Sequence, residues 1–135
     1  GGLPIGAMIA FGESGKLFQP GSHGSTFGGN PIAAASANAT IDVIENENLL
    51  NRNFEKGEWL KREISGLEGV REVRGSGLLL GVLFKESIAK EIYMRLLARR
   101  VLVNAPSEDV IRLAPAYVVS DEQIREFVAT FKEVI

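Results

Sequence analysis

Charge is distributed unevenly along this 135-residue chain. Only Glu13 and Lys16 carry a formal charge between residues 1 and 41, whereas charges of both signs are dense after Ile41. A nearly uncharged segment lacks the polar side chains that cover a solvated surface, so it is expected to be buried. The sequence therefore predicts two parts. Residues 1–48 are expected to be buried against a larger protein or a partner subunit. Residues 49–135 are expected to fold as a domain with its own solvent-exposed surface.

The first part is predicted to contain one strand and one long helix. Ala7–Phe11 is a short apolar run that predicts a buried strand, and residues 12–15 predict a turn. Asn30 is a favoured N-cap, and Pro31 suits the first helical position because its missing N–H would have no helical partner. The helix that follows, "PIAAASANATIDVIENEN", is small and apolar on nearly all sides as far as Asp42. Such a helix is expected to be enclosed.

A second helix is expected from about residue 50 to 66. Glu58 and Arg62 are spaced as an i,i+4 ion pair on its surface. Its apolar stripe is predicted to consist of Phe54, Gly57, Leu60 and Ile64. The residues from 70 onward then alternate between strands and helices.

The alternating region predicts a small α+β domain. "VREVRGSGLLLGVLF" indicates two strands around a glycine break, and residues 87–100 indicate a helix. "VLV" and "VIRL" predict short strands around the turn "NAPSED". Ser120 and Gln123 have the spacing of a capping box that opens the last helix. The order β-β-α-β-β-α predicts helices on one face of a mostly antiparallel sheet.

Composition excludes several classes of function. The chain is 45% hydrophobic with a net charge of −2, which is typical of a globular protein and disfavours nucleic acid as a partner. The absence of cysteine excludes disulfides and cysteine metal sites and is compatible with the cytoplasm. No apolar run approaches the roughly 18 residues of a membrane span. No metal site is expected, because His23 is the only histidine and has no nearby carboxylate in the sequence.

The stretch "PGSHGSTFGGNP", Pro20–Pro31, is the most polar and glycine-rich part of the chain. Its glycines and the hydroxyls of Ser22, Ser25 and Thr26 can converge on an anion just before a helix N-terminus. The alternative is a mobile surface loop, and composition alone does not choose between the two. His23 is either a general base or, as we favour, a residue that orders the loop.

Two further features admit a functional and a structural interpretation. Arg112 lies in the apolar strand "VIRLAP", where an arginine is costly unless it is paired. It belongs either to a structural ion pair or to a site for a ligand carboxylate, and both remain open. Gly75-Ser76-Gly77 lacks the third glycine and the following helix of a dinucleotide site. It instead predicts a β-bulge or a close approach of two backbones.

Four motifs carry a family resemblance: "GGLPIGAM", "PGSHGSTFGGNP", "EVRGSGLLLGV" and "VIRLAPAYVVSDEQI". In this order and spacing the chain resembles the class III aminotransferases that depend on pyridoxal 5'-phosphate (PLP). The resemblance implies an α/β protein: the carboxyl-terminal part of the type I PLP-dependent transferase fold. Residues 1–48 would be the tail of the PLP-binding large domain with its interface loop, and residues 49–135 the small α+β domain. The family forms homodimers with active sites at the subunit interface.

The resemblance also implies roles for individual residues. Thr26 would bind the phosphate of the PLP held by the partner subunit, Ser25 would lie beside the substrate, and Arg112 would hold a substrate carboxylate. The family's Schiff-base lysine lies a few residues before the position of Gly1. No catalytic residue is therefore expected in these 135 residues, which should be the carboxyl-terminal third of the enzyme and inactive alone.

Within the family, the resemblance implies transfer of an amino group from N-acetylornithine to 2-oxoglutarate in arginine biosynthesis. Enzymes acting on ornithine, succinylornithine or 4-aminobutyrate remain alternatives. A hypothesis of another class also remains open: residues 49–135 as a free-standing α+β module that binds a small ligand and catalyses nothing.

Overall fold

The computed structural model describes residues 2–135, so Gly1, the first residue of the predicted large-domain segment, lies outside the described residues. The chain divides into two compact units. The first unit ends at Glu47, and the second unit spans Asn48–Ile135.

The first unit contains a 3₁₀ helix at Gly12–Lys16 and the helix α1 at Pro31–Asn46. The predicted start of α1 is confirmed, because Asn30 Oδ1 accepts a hydrogen bond from the backbone N–H of Ala33 at 3.0 Å. The predicted strand at Ala7–Phe11 is wrong: this segment is exposed and pairs with none of the described strands. A strand exists only through such pairing, which local apolar character does not supply.

Burial of the first unit is not achieved within the described residues. Ala33 is the only one of its described residues that is buried. The exposed large apolar side chains of the unit are Leu3, Ile5, Met8, Ile9, Phe11, Leu17, Phe18, Phe27, Ile32, Ile41 and Val43. The helix α1 therefore keeps an apolar surface open to solvent in this chain.

The second unit is built on an antiparallel sheet, as predicted. Its strands are β1 (Val70–Ser76), β2 (Leu79–Phe84), β3 (Asn104–Ser107) and β4 (Val110–Leu113), in the spatial order β1-β2-β4-β3. The predicted strand "VLV" at 101–103 is wrong, because pairing with β4 begins at Asn104. Pro106 is tolerated inside β3 because β3 lies at the edge of the sheet and has one side unpaired.

Three helices complete the second unit: α2 (Leu49–Ser65), α3 (Ala89–Ala98) and α4 (Asp121–Val134). The capping box of α4 is confirmed. The Gln123 N–H donates to Ser120 Oγ at 3.1 Å, and the Ser120 N–H donates to Gln123 Oε1 at 2.9 Å. The helix α3 is shorter than predicted. No helix in residues 2–135 combines the length and the apolar character needed to cross a lipid bilayer.

One hydrophobic core joins the sheet to all three helices. Its fully or nearly fully buried members include Leu60 and Ile64 of α2, Ile92 and Leu96 of α3, Val128 and Phe131 of α4, and Leu80, Val82 and Ile111 of the sheet. Burying one such side chain contributes about 1.5–3 kcal/mol. Because the three helices of the second unit share this core, they cover the same face of the sheet, as the element order predicts.

The helix α2 and the β1–β2 turn are in backbone contact. A Cβ atom added at Gly57 would lie 2.0 Å from the carbonyl oxygen of Gly77. Gly75 has φ +117°, and a Cβ atom there would lie 2.1 Å from the carbonyl oxygen of Leu79. The close-approach interpretation of the glycine pair is confirmed, whereas the irregularity in pairing lies elsewhere, between Val70 and Glu72.

The predicted surface of α2 needs two corrections. Phe54 is not part of the buried stripe, since 54% of it is exposed, whereas Gly57, Leu60 and Ile64 are buried as predicted. The Glu58 carboxylate pairs with Lys61, at 3.6 Å, rather than with Arg62. In both cases the predicted residue is one position away from the observed one: Asn53 is buried instead of Phe54, and Lys61 pairs with Glu58 instead of Arg62.

Candidate functional site

The glycine-rich loop is held by successive turns. The Ser22 N–H donates to the Gln19 carbonyl at 2.9 Å, and the Gln19 N–H donates to Ser22 Oγ at 3.0 Å. Pro20 and Gly21 occupy the central positions, with φ +87° at Gly21, as a type II turn requires. The first half of the loop is therefore an ordered turn rather than a formless linker.

The second half of the loop places two hydroxyls directly before α1. The Gly28 N–H donates to the Ser25 carbonyl at 3.3 Å, and the Asn30 side chain donates to the Phe27 carbonyl at 3.0 Å. Ser25 and Thr26 are exposed, and within residues 2–135 neither hydroxyl makes a hydrogen bond. Both groups are therefore available to a ligand.

His23 has an aromatic neighbour instead of an acidic one. Its ring centroid lies 6.4 Å from that of Phe18, with the ring planes tilted by 54°. In the described part of the chain, no group of three or more His, Cys, Asp or Glu side chains is placed to hold a metal ion. This environment favours a loop-ordering role for His23 over that of a general base.

The chemistry of the loop fits a phosphate group. The hydroxyls of Ser25 and Thr26 can donate to phosphate oxygens, and the N-terminus of the 16-residue helix α1 follows them. No acidic residue occurs between Lys16 and Ile41, so the loop has no carboxylate of its own that would repel an anion. A phosphorylated cofactor is therefore chemically compatible with the residues present.

Arg112 lies on the face of the sheet opposite to the core of the second unit. Its neighbours Ile111 and Leu113 are buried in the core, so the alternation of β4 turns Arg112 to the opposite side, where it is exposed. Arg112 is therefore not buried in the apolar strand, so it does not need an ion pair to offset a cost of burial. Strand pairing places Arg74, Gly81, Arg112 and Asn104 in one row across the sheet.

The two arginines of this row differ in their partners. Arg74 Nη2 lies 2.9 Å from Glu72 Oε2, and this hydrogen bond lowers the pKa of the Glu72 carboxyl. Arg112 has no ion pair within residues 2–135, so no structural ion pair accounts for it there. Gly81 leaves no side chain between them, and β4 is paired on both sides. Arg112 is therefore a firmly anchored cation open to a carboxylate.

The structure brings Ser25 and Thr26 together in one turn of the first unit, and it places Arg112 in the second unit. Sequence reasoning missed the row formed with Arg74 and Gly81. The burial patterns of β1 and β2 do not alternate regularly, so no sequence signal indicated that row, which follows only from the strand register.

Family comparison gives these features a context. Residues 1–135 match the protein family described as Aminotransferase class-III. The chain belongs to that family. It is 44% identical over 135 residues to the acetylornithine aminotransferase of Corynebacterium efficiens, covering 100% of this chain and 33% of the relative. It is 41% identical over 137 residues to that of Streptomyces coelicolor, covering 100% of this chain and 34% of the relative.

Solved structures of the family have the same fold. An acetylornithine aminotransferase from Elizabethkingia anophelis superimposes with a TM-score of 0.79 at 34% identity, covering 90% of this chain and 34% of that one. An ornithine aminotransferase from Toxoplasma gondii, with partial occupancy of PLP at its active site, gives 0.76 at 32% identity, covering 90% and 30%. The predicted fold class is thereby confirmed. The chain spans about one third of the length of the curated relatives it matches.

Proposed function

We propose that this chain forms about one third of a PLP-dependent aminotransferase. Residues 1–48 are the tail of its PLP-binding large domain with the interface loop, and residues 49–135 are its small domain. The family match over residues 1–135 supports this proposal, as does the PLP seen in the Toxoplasma relative. When bound, the cofactor supplies the electron sink that stabilises negative charge on the substrate.

The observation that carries the proposal is Arg112. It is an exposed guanidinium on a central strand with no counter-ion among residues 2–135. A planar guanidinium forms two parallel hydrogen bonds to a carboxylate, so Arg112 would fix the orientation of an amino acid substrate. Thr26 would donate a hydrogen bond to the phosphate of the PLP held by the partner subunit of a homodimer. Ser25 would lie beside the substrate.

The proposed amino donor is N-acetylornithine and the proposed acceptor is 2-oxoglutarate, in arginine biosynthesis in the cytoplasm. The names of the Corynebacterium and Streptomyces relatives support this choice. The Toxoplasma relative keeps ornithine as a second candidate. Succinylornithine and 4-aminobutyrate complete a panel of donors for assay with the protein at the full length of its relatives.

The alternative to an enzyme is that residues 49–135 form a free-standing module that binds a small ligand and catalyses nothing. The single hydrophobic core shared by the sheet and the three helices of the second unit favours it. It leaves unexplained why the family match also covers residues 1–47. Transamination by the full-length protein, with any donor of the panel, would exclude it.

Arg112→Lys tests the proposed site directly. The variant keeps the charge but loses the two-bond fork. In the full-length protein we expect kcat/KM for the amino acid donor to fall about tenfold or more, or roughly 1.4 kcal/mol, with PLP binding unchanged. Arg74→Lys is the matched control in the same row and should leave kinetics near normal. Normal kinetics together with lowered thermal stability in Arg112→Lys would make Arg112 a structural residue only.

Thr26→Ala tests the phosphate contact. Loss of a hydrogen bond to a charged group should weaken PLP binding by about 1.5–3 kcal/mol in an equilibrium titration. Thr40→Ala is the control, because the Thr40 hydroxyl already donates to the Ser36 carbonyl at 2.8 Å inside α1. Equal PLP affinities for the two variants would remove the phosphate role of Thr26.

A further inference from the structure

A cavity of about 230 Å³ opens on the second unit between α2 and the start of α4. We call this cavity the α2–α4 cleft. Because sites for drug-sized molecules measure about 300–1,000 Å³, the cleft suits a smaller ligand. Besides the buried Ile124 and the ring-bearing Trp59, it is lined by five charged residues: Arg52, Glu55, Lys56, Asp121 and Arg125.

Two sets of contacts hold the two helices of the cleft together. Lys56 Nζ of α2 donates to the Val119 carbonyl oxygen at 2.6 Å and lies 3.1 Å from Asp121 Oδ1 at the start of α4. Further along the same helices, Lys132 Nζ lies 2.8 Å from Glu63 Oε2. Only 12% of the Lys56 side chain is exposed, so its ammonium is already used in joining the helices. A cleft that is formed in advance loses less conformational entropy when a ligand enters.

Trp59 gives the cleft an aromatic surface. The side chain is half-buried, packs against the hydrophobic core of the second unit and also lines the cleft. Its contacts with the core restrict its movement, so the ring does not need to be ordered by the ligand. A second aromatic ring packs well against such a surface in an offset or edge-to-face arrangement. Trp59 therefore favours a ligand with an aromatic side chain.

Three of the five charged residues have no ionic partner. Arg52, Glu55 and Arg125 are exposed, and none of them forms an ion pair within residues 2–135. Arg52 and Glu55 lie one turn apart on α2, and Arg125 lies on α4. Guanidinium groups bind a carboxylate through charge-assisted hydrogen bonds, and a carboxylate binds an ammonium group in the same way. The three unpaired groups thus match the two opposite charges of a free amino acid.

We propose that the α2–α4 cleft binds a free α-amino acid with an aromatic side chain. The ligand's carboxylate accepts hydrogen bonds from Arg52 and Arg125, its ammonium group donates to Glu55, and its ring packs against Trp59. An aromatic acid without an ammonium group fits less well, because its carboxylate faces Glu55 with no compensating charge. Binding requires neither PLP nor transamination, so failure of this proposal is distinguishable from failure of the proposed function.

The fluorescence of Trp59, the only tryptophan in the chain, tests the proposal directly. L-Phenylalanine is the probe, because it does not absorb at wavelengths that excite only tryptophan. Added to a dilute solution of the 135-residue chain, it should change the emission with half-saturation at about 1 mM or below, as expected for a ligand of this size. L-Alanine should need concentrations about tenfold higher, because it buries no ring. Unchanged emission, or equal binding of alanine, overturns the proposal.

Two analogues of phenylalanine test the charge pattern. 3-Phenylpropionate lacks the ammonium group and phenethylamine lacks the carboxylate, so each should bind about tenfold more weakly than phenylalanine. Equal affinity of 3-phenylpropionate and phenylalanine overturns the amino acid assignment, in favour of a site for aromatic acids. Equal affinity of phenethylamine and phenylalanine overturns the contact between the arginines and the carboxylate.

Variants of exposed residues test the individual contacts without disturbing the core. Arg52→Gln and Arg125→Gln should each weaken binding of phenylalanine about tenfold. Arg62→Gln is the matched control, because Arg62 is exposed on the same helix as Arg52 and lies outside the cleft. Equal effects of Arg52→Gln and Arg62→Gln overturn the site. Glu55→Gln should weaken binding of phenylalanine and leave that of 3-phenylpropionate at least as tight, and equal weakening of both overturns the ammonium contact.

Discussion

The two units of this chain treat the same kind of side chain in opposite ways. Phe84 and Phe131 of the second unit are fully buried, whereas 82% of Phe11 and 80% of Phe27 in the first unit are exposed. Both units are rich in apolar residues, so composition does not explain the difference. The second unit has two layers, a sheet and three helices, that close over one core, and the first unit has a single long helix. A core requires two packed layers as well as apolar residues.

Limited digestion with chymotrypsin, which cuts after aromatic residues, should show this contrast most strongly. In the 135-residue chain we expect cleavage after Phe11, Phe18 and Phe27 to be at least about tenfold faster than after Phe84 or Phe131, since cleavage follows local opening. A resistant core beginning near residue 48 should remain. Equal cleavage rates in the two units would contradict the comparison. In a separate sedimentation experiment, the 135-residue chain should self-associate through the exposed apolar residues of the first unit.

Matched phenylalanine substitutions should differ next most strongly. Phe131→Ala removes a fully buried ring and should lower the free energy of unfolding of the second unit by about 3–5 kcal/mol. Phe11→Ala should change it by less than about 0.5 kcal/mol, because Phe11 is exposed. Trp59, which packs against the core, reports unfolding by fluorescence in a denaturant titration. A large effect of Phe11→Ala would mean that the first unit shares in the stability of the second.

A pair of glycine substitutions should give a smaller contrast. Gly57→Ala places a methyl group 2.0 Å from the Gly77 carbonyl oxygen and should destabilise the second unit by about 1–3 kcal/mol. Gly24 in the first unit has ordinary φ and no atom within 4 Å of an added Cβ, so Gly24→Ala should be nearly neutral. Thermal unfolding of both variants is the measurement. A neutral Gly57→Ala would show that α2 and the β1–β2 turn can separate.

The smallest expected effect concerns the surface of the second unit. The Ser107 hydroxyl donates to Asp109 Oδ1 at 2.9 Å and, with help from Arg71, lowers the pKa of the Asp109 carboxyl. A lowered folded-state pKa adds stability above the unfolded-state pKa, and this stability is lost as pH falls through the folded-state value. Ser107→Ala should raise the pKa of Asp109 toward its ordinary value in an NMR titration. Ser65→Ala should leave it unchanged, and a similar shift in both variants would contradict the role of Ser107.

The elements that sequence predicts well are those that carry their own local signal. The Asn30 cap, the capping box at Ser120 and the order of the second unit were all correct, since each depends on neighbouring residues. The failures depend on distant partners. Ala7–Phe11 has the composition of a strand but pairs with none of the described strands. The strand β3 lies at Asn104–Ser107 instead of 101–103, because pairing with β4 selects that segment although it contains a proline.

The candidate site divides in the same way. Loop chemistry and the family resemblance pointed to Ser25, Thr26 and Arg112, whose roles stay predictions. The alternation of β4 places Arg112 outside the core, but the row with Arg74 and Gly81 emerges only from strand register. The burial of Asn53 has no sequence signature at all, because its Nδ2 donates to the Tyr117 carbonyl oxygen 64 positions away.

The edges of the sheet determine what kind of aggregate this chain can form. The outer strands are β1, which carries Arg71, Glu72 and Arg74, and the four-residue β3, which contains Pro106. Charged side chains and proline at an edge oppose the addition of further strands. Self-association should therefore run through side chains of the first unit and yield amorphous assemblies. Such material would leave thioflavin fluorescence low and redissolve when mild denaturant weakens apolar contacts, whereas amyloid would persist.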